Sequence, residues 1–206
     1  MLRNNIILKA TVLMALLFCV INVQAQTLAG PALLKALQQG GNVILMRHAS
    51  SPRTMPDKAS AAAGNVNLER QLDAAGRNAA TTMGMALRDL KIPVGEVSSS
   101  STFRALETAL YAKVPEPKAY SELSDAGQSM QPATPGQSNW LQQLAQNLPV
   151  GSNTLIITHL PNITAAYPQF AKDLADGEAL IMGKNSRGNF SLLARLKIED
   201  WPKLGQ

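Results

Sequence analysis

Cysteine and histidine are both rare in this chain of 206 residues, which contains one cysteine and two histidines. The single cysteine, Cys19, permits no intramolecular disulfide and no cysteine-based metal site. The two histidines, His48 and His159, do not form a His-x-x-His pair and leave too few ligands for a metal-dependent hydrolase. The sequence therefore predicts neither a metal ion nor a cofactor.

Aromatic residues are also sparse, at 4%, and charged residues make up 16% of the chain against 46% hydrophobic residues. This balance is typical of a globular protein and excludes a disordered or highly charged tail protein. No run of lysine and arginine is interleaved with aromatic residues, so nucleic acid is not an expected partner. The net charge of +5 is compatible with an anionic small-molecule ligand.

The long uncharged run at residues 10–23 follows two basic residues near the N-terminus. Together with the small residues before position 26, it predicts a secretory signal peptide at 1–25 that is cleaved after Ala25. The alternative is an uncleaved anchor, although this uncharged run of 14 residues is shorter than the ~20 apolar residues that span a bilayer. We therefore expect one mature domain at 26–206, secreted or periplasmic, with no stable membrane span after cleavage.

Short apolar runs alternate with helical patterns through the rest of the chain. Strands that alternate with helices predict a three-layer α/β/α sandwich with a mostly parallel central sheet. The segment 113–136 contains several prolines and is predicted to be irregular up to a helix capped by Ser138. The predicted strands are 42–46, 94–97 and 154–158, with a final hairpin at 178–182 and 189–196; the other predicted helices are 32–39, 73–90, 102–112 and one beginning near Pro161.

Two of the predicted strands end on a histidine: one leads into Arg47 and His48, and the other leads into His159. Ligands of open α/β sheets bind beyond the carboxyl ends of the strands, so we expect both histidines at one rim. Arg104 lies in the first turn of a predicted helix, where a cation opposes the helix dipole. This placement is explained if Arg104 and the helix N-terminus together hold an anion.

Five sequence blocks, in this order, resemble the motifs of the histidine phosphatase superfamily, also called phosphoglycerate mutase-like. The fourth block is similar to a motif of secreted bacterial members, and the resemblance covers residues 42–196. The blocks are Leu45-Met46-Arg47-His48-Ala49, the stretch from Glu69-Arg70 to Gly76-Arg77, Ser99 to Ala109, Thr158 to Ile163, and Gly177-Glu178.

The resemblance implies a phosphoglycerate mutase-like fold and assigns roles to the residues of the rim. His48 would be the nucleophile that forms a phosphohistidine. Arg47, Arg104 and His159 would surround the phosphoryl oxygens and neutralise charge in the transition state, with His159 expected to act as a cation. Two further residues, Arg53 and Asn162, are expected to contact the substrate or to brace the site.

The family also uses an acidic residue to protonate the leaving oxygen. Leu123-Ser124-Asp125 resembles an L-x-E segment of the mutase-like branch, with aspartate in place of glutamate, and Glu122 is the alternative. Arg70 is interpreted either as a substrate contact or as a structural residue. The sequence does not decide between these alternatives.

The resemblance favours a secreted phosphatase that hydrolyses a phosphate monoester through a phosphohistidine intermediate. The expected partner is a small phosphorylated substrate or a phosphate group of the cell envelope. A phosphomutase is an alternative, although secretion argues against a substrate of central metabolism. A non-catalytic module of the same fold that binds a phosphate ligand is the other alternative.

Overall fold

A computed structural model of the chain describes residues 27–125 and 131–206. The predicted signal peptide lies outside these residues, so its cleavage stays a prediction. The α-helices of the described chain are α1 (Gly30–Gln39), α2 (Ala74–Asp89), α3 (Phe103–Ala112), α4 (Pro135–Gln146) and α5 (Leu160–Ala166). Its strands are β1 (Val43–Arg47), β2 (Val94–Ser100), β3 (Lys118–Tyr120), β4 (Asn153–Thr158), β5 (Ala179–Lys184) and β6 (Phe190–Leu196).

The strands form one sheet in the order β3-β2-β4-β1-β5-β6. β3, β2, β4 and β1 are parallel to one another, and β5 and β6 add an antiparallel hairpin next to β1. Helices α1, α2 and α3 pack on one face of the sheet, and α4 and α5 pack on the other. The predicted three-layer α/β/α sandwich with a mostly parallel sheet is confirmed.

The central strand β1 is apolar over four consecutive residues because both of its faces are covered. Ile44 and Met46 point into the core beneath α2 and α3, whereas Val43 and Leu45 point into the core beneath α4 and α5. All four side chains are essentially inaccessible to solvent. Burial of a side chain of this size stabilises the folded state by about 1.5–3 kcal/mol. The strand therefore holds the residues that follow it in fixed positions.

The segment predicted to be irregular contains regular structure. Residues Lys118–Tyr120 pair with β2 as the edge strand β3, and a 3₁₀ helix follows at Ser121–Leu123. α4 begins at Pro135 and not after Ser138. Its cap is Thr134, whose hydroxyl accepts a hydrogen bond from the N–H of Gln137 in a capping box. A three-residue strand is too short to show a periodicity, and the prolines obscured the cap.

Strands β1 and β4 lie side by side, but the chain leaves them in different directions. From β1 the chain passes through α2 towards β2, and from β4 it passes through α5 towards β5 on the other side of β1. The two helices pack on opposite faces of the sheet. The carboxyl ends of β1 and β4 therefore form the topological switch point, where sheets of this kind bind ligands in a crevice.

Candidate active site

His48 and His159 are the residues that directly follow β1 and β4, and the structure brings them together at the switch point. The pairing of Arg47 with Thr158 at the strand ends places the two histidines next to each other. The N–H of His48 donates to the carbonyl of Thr158 at 3.0 Å, and the two ring centroids are 5.2 Å apart. Both side chains are buried, at 3% and 1% exposure.

The imidazole of His48 is held in one tautomer. Its Nδ1 lies 2.8 Å from the carbonyl oxygen of Ala49, which can only accept, so Nδ1 carries the proton. Its Nε2 accepts a hydrogen bond from Nε of Arg104 at 3.2 Å, so Nε2 carries a lone pair. Burial lowers the pKa of His48 well below its ordinary value, and the neighbouring His159 lowers it further. His48 is therefore neutral, with Nε2 directed into the crevice.

The imidazole of His159 is also neutral in this arrangement. Its Nδ1 accepts from Nη2 of Arg104 at 3.1 Å, so Nε2 donates, to Oγ of Ser100 at 2.9 Å or to Oγ1 of Thr102 at 3.2 Å. Burial lowers the pKa of His159 well below its ordinary value, and the charge of Arg104 lowers it further. The sequence predicted a cation here; the neighbouring guanidinium and the lack of solvent make the neutral ring the stable form.

Arg104 connects the two histidines to a carboxylate. It projects from the first turn of α3 and is fully buried. Its Nη2 lies 2.7 Å from both carboxylate oxygens of Asp125, whose side chain is 2% exposed. Oδ2 of Asp125 is also 3.5 Å from Nδ1 of His159. The carboxylate of Asp125 thus takes up hydrogen bonds from the same nitrogen of Arg104 that contacts His159.

Glu122, the alternative to Asp125, is not brought to these groups. Its carboxylate accepts a hydrogen bond from the neighbouring Ser121 hydroxyl at 3.1 Å, on the exposed side of the 3₁₀ helix. The backbone carbonyl of Glu122 instead accepts from Nδ2 of Asn162 at 3.2 Å, and that of Ser124 accepts from the same nitrogen at 3.4 Å. Asn162 therefore braces the segment that carries Asp125.

The sequence predicted that an anion binds the N-terminus of α3, and in the structure a glutamate of this chain does so. The N–H of Phe103 donates to Oε2 of Glu69 at 2.7 Å, so a carboxylate of this chain already binds that end of the helix. Thr102 stands at the N-cap position without a side-chain cap, because its hydroxyl takes part in the hydrogen bonds around His159. Arg104 therefore remains the group of α3 that we expect to bind an anion. The N–H of Phe103 is already bound to Glu69.

Arg47 is held by the loop between α5 and β5. Its Nη1 donates to the carbonyl of Leu174 at 3.0 Å, and its Nη2 forms an ion pair with Oδ1 of Asp176 at 2.6 Å. The third nitrogen, Nε, is buried and has no acceptor among the described residues. A buried donor without an acceptor costs about 1–3 kcal/mol, which an anion in the crevice would relieve. The charge of Arg47 is among the causes that lower the pKa of His48, after burial of the ring, so the guanidinium lies near enough to act on the imidazole.

Two more arginines, Arg53 and Arg70, come after the Arg47-His48 pair in the sequence. Arg70 is buried at 7% exposure, and its Nε and Nη2 donate to the carbonyls of Pro52 and Ser51 at 2.8 and 2.9 Å. Burial lowers the pKa of Arg70, and the charge of Arg104 lowers it further, so the two guanidinium groups lie close enough to repel each other. Arg70 thus braces the loop after β1 and adds a cation to the site. Arg53 is exposed on this loop.

Asp176 is the residue of this site that the sequence did not single out. It directly precedes the Gly177-Glu178 block, and adjacency to that block is the only signal that pointed to it. Burial raises the pKa of Asp176, and the charges of Arg47 and Arg70 act against this shift. Within residues 27–125 and 131–206, no cluster of three or more His, Cys, Asp or Glu side chains is arranged to hold a metal ion.

The fold and this geometry define a class: an α/β protein that brings arginines and two buried histidines together at the switch point of its sheet. Of the part of the chain that the structure describes, no helix has the length and apolar character needed to cross a membrane. No model of a known protein family matches the chain, and no curated protein matches it.

Solved structures do match the fold. The chain is similar to the protein histidine phosphatase SixA in complex with tungstate, with a TM-score of 0.55 and 17% identity over 77% of this chain and 98% of that chain. For a candidate phosphohistidine phosphatase SixA from Agrobacterium tumefaciens the TM-score is 0.51 at 17% identity, over 76% and 98% of the two chains. The product of open reading frame Rv3214 from Mycobacterium tuberculosis also matches, with a TM-score of 0.51 and 16% identity over 74% of this chain and 96% of that chain. The chain thus has the phosphoglycerate mutase-like fold.

Proposed function

We propose that this chain is a histidine phosphatase that hydrolyses a phosphorylated substrate through a phosphohistidine on His48. The observation that carries the proposal is the hydrogen bonding of that ring. The carbonyl of Ala49 fixes the proton on Nδ1, and the lone pair on Nε2 faces Arg104. A neutral imidazole with an unprotonated Nε2 is the form that attacks phosphorus. Because burial keeps the pKa of His48 low, this form persists in mildly acidic solution.

The reaction has two steps. In the first, Nε2 of His48 attacks phosphorus, and the bond to the leaving atom breaks with its electron pair. In the second, water attacks the phosphohistidine, the P–N bond breaks, and inorganic phosphate leaves. Arg104 and Nε of Arg47 donate to the phosphoryl oxygens and offset the charge that develops on them, with Arg70 as a further cation.

Asp125 is proposed to donate the proton to the leaving atom and to take one back from the attacking water. In the structure its carboxylate is paired with Arg104. A phosphate dianion competes for the same guanidinium and places negative charge beside the carboxylate. Substrate binding would thus release Asp125 from its role as the counterion of Arg104.

We propose a phosphate monoester, free or attached to the cell envelope, as the substrate of an exported mature domain at 26–206, in the secreted bacterial branch of the superfamily. The signal pattern supports export, and the fourth sequence block supports the branch. The names of the similar structures add phosphorylated histidine in a protein as a second substrate to test. The open loop that bears Arg53 is where a larger substrate would make contact.

One observation favours the second candidate, a non-catalytic module that binds phosphate. The buried pair of Arg104 and Asp125 holds both carboxylate oxygens on one guanidinium nitrogen, as expected of a structural counterion. A binding module needs the arginines of the site but no acid. It would bind tungstate or inorganic phosphate without turning over any ester.

The test is hydrolysis of p-nitrophenyl phosphate, an alkyl phosphate and a phosphohistidine peptide, each with and without a chelator. We expect turnover that the chelator leaves unchanged, and a phosphorylated protein that is stable in alkali and labile in acid, as phosphohistidine is. His48→Asn should abolish both signals. Turnover that survives in His48→Asn contradicts the mechanism, and tungstate binding without turnover of any substrate establishes the binding module.

A further inference from the structure

The loop between α5 and β5, residues 167–178, contains the groups that fix the guanidinium of Arg47. The carbonyl of Leu174 accepts from Nη1 at 3.0 Å, and Oδ1 of Asp176 lies 2.6 Å from Nη2. Each terminal nitrogen of Arg47 therefore has a contact with this loop, which fixes the orientation of the guanidinium. Nε is buried without an acceptor among the described residues, so its N–H is available to a ligand.

The loop is itself anchored, so it can act as a rigid support. Oε2 of Glu178 accepts from the N–H of Ala175 at 2.9 Å, and Oε1 of Glu178 accepts from Nε of Arg195 on β6 at 2.7 Å. The N–H of Gly177 donates to the carbonyl of His48 at 2.9 Å. The Gly177-Glu178 block thus ties the loop to the hairpin on one side and to the backbone of the nucleophile on the other.

The two carboxylates of the site differ in what they do to their arginines. Asp125 places both oxygens on the nitrogen of Arg104 that a phosphoryl oxygen needs, and its side chain is 2% exposed. Asp176 is 36% exposed and reaches Arg47 with one oxygen, at the end of the guanidinium remote from the backbone. Asp125 competes with an anion, whereas Asp176 leaves a donor of Arg47 available to it.

We propose that Asp176 is a positioning residue, which holds the guanidinium of Arg47 so that its Nε–H donates to the phosphoryl group bound beside His48. This inference rests on the proposed function, because it assigns a role within the same site. Partners that orient a ligand-binding group are worth ~10–100-fold in the metal sites where this has been measured. We expect a loss of about tenfold here, since a single hydrogen bond to the phosphoryl group is misdirected.

The test compares Asp176→Asn with Asp173→Asn, a matched control that removes the same charge from an exposed position on the same loop. Two quantities are measured on the mature domain: the Kd for tungstate by calorimetry, and kcat/KM for p-nitrophenyl phosphate and an alkyl phosphate. Both substitutions are then repeated in an Arg47→Ala background. Asp176→Glu, which keeps the charge, shows whether the effect can be rescued.

We expect Asp176→Asn to weaken tungstate binding and to lower kcat/KM for both substrates by about tenfold. Asp173→Asn should have nearly the same Kd and kcat/KM as the original chain. In the Arg47→Ala background Asp176→Asn should have no further effect, because residues that act through each other are not additive. Asp176→Glu should recover part of the loss. If the melting temperature of Asp176→Asn is close to that of Asp173→Asn, the loss does not come from unfolding.

Three results would overturn the proposal. Tighter tungstate binding in Asp176→Asn means that the carboxylate only repels anions. A loss confined to the alkyl phosphate means that Asp176 is a proton donor and not a positioning residue. A loss of full size in the Arg47→Ala background means that Asp176 does not act through Arg47. If the unaltered chain neither binds tungstate nor hydrolyses any ester, the proposed function fails, whatever Asp176 does.

Discussion

Replacing Asp125 with asparagine removes the negative charge from a pair in which both side chains are buried. Arg104 and Asp125 are 0% and 2% exposed, and 2.7 Å separates the guanidinium nitrogen from the carboxylate. Removing one partner of a buried ion pair costs about 3–5 kcal/mol, because the other charge is left without compensation. For a domain of this size each kcal/mol corresponds to ~2–4 °C in Tm, so we expect Asp125→Asn to melt roughly 6–20 °C lower.

The same substitution should strengthen the response to an added anion. The carboxylate of Asp125 occupies the Nη2 nitrogen of Arg104, so its removal frees that donor and leaves a cation that an anion can neutralise. Tungstate at about 100 times its Kd stabilises a protein by ~2.7 kcal/mol. We expect tungstate to raise the Tm of Asp125→Asn by more than it raises that of the original chain, at equal concentration.

Catalysis provides the third measurement on this variant. An alkyl phosphate leaves as a basic alkoxide and needs a proton, whereas p-nitrophenolate hardly does. General acid catalysis contributes ~10²–10⁴-fold, so Asp125→Asn should slow the alkyl phosphate by about that factor and largely spare p-nitrophenyl phosphate.

Glu122→Gln is the control for Asp125→Asn, since its carboxylate contacts Ser121 and lies away from the histidines. It should change Tm and both rates little. An unchanged Tm in Asp125→Asn, with an equal effect of tungstate on both proteins, refutes the reasoning from the buried pair. A selective loss in Glu122→Gln moves the proton donor to that residue, and a selective loss in neither variant favours the binding module.

Two further predictions concern pH and processing. Because the folded state lowers the pKa of His48 and His159, it binds fewer protons than the unfolded chain, and stability should be lost as the pH falls through the unfolded value near 6.5. Below that value, each neutral histidine contributes about 1.4 kcal/mol per pH unit to the slope of the unfolding free energy against pH. His159→Gln should remove one such contribution when the unfolding free energy is measured by urea titration at several pH values. An identical slope in the two proteins argues against a neutral His159. Mass spectrometry of exported protein should find an N-terminus at Gln26, and a full-length product retained in the cell rules out cleavage after Ala25.

The strands and the two histidines could be predicted because they depend on local patterns. The four apolar residues of β1 and the apolar run of β4 reveal strands buried on both faces, and parallel neighbours bring their carboxyl ends together. That rule was sufficient to place His48 and His159 in one crevice. It required no knowledge of the partners across the sheet.

The partners of the charged groups could not be predicted, since they come from distant segments. Glu69 caps α3 across 34 positions of sequence, and Asp176 reaches Arg47 from a loop 129 positions away. No spacing rule relates such residues. The position of Arg104 near a helix N-terminus was informative, but the anion that it binds in the structure is Asp125, a carboxylate of the chain itself.

The charges around the crevice explain how a low pKa of His159 can be reconciled with the cation that the sequence predicted there. Arg47, Arg70 and Arg104 face the carboxylates of Asp125 and Asp176, and with both histidines neutral these five groups leave one net positive charge. A phosphate dianion makes the sum negative. In a buried site such an imbalance favours the uptake of a proton by a neighbouring imidazole. A phosphate dianion bound beside the arginines would therefore itself favour the cationic form of His159.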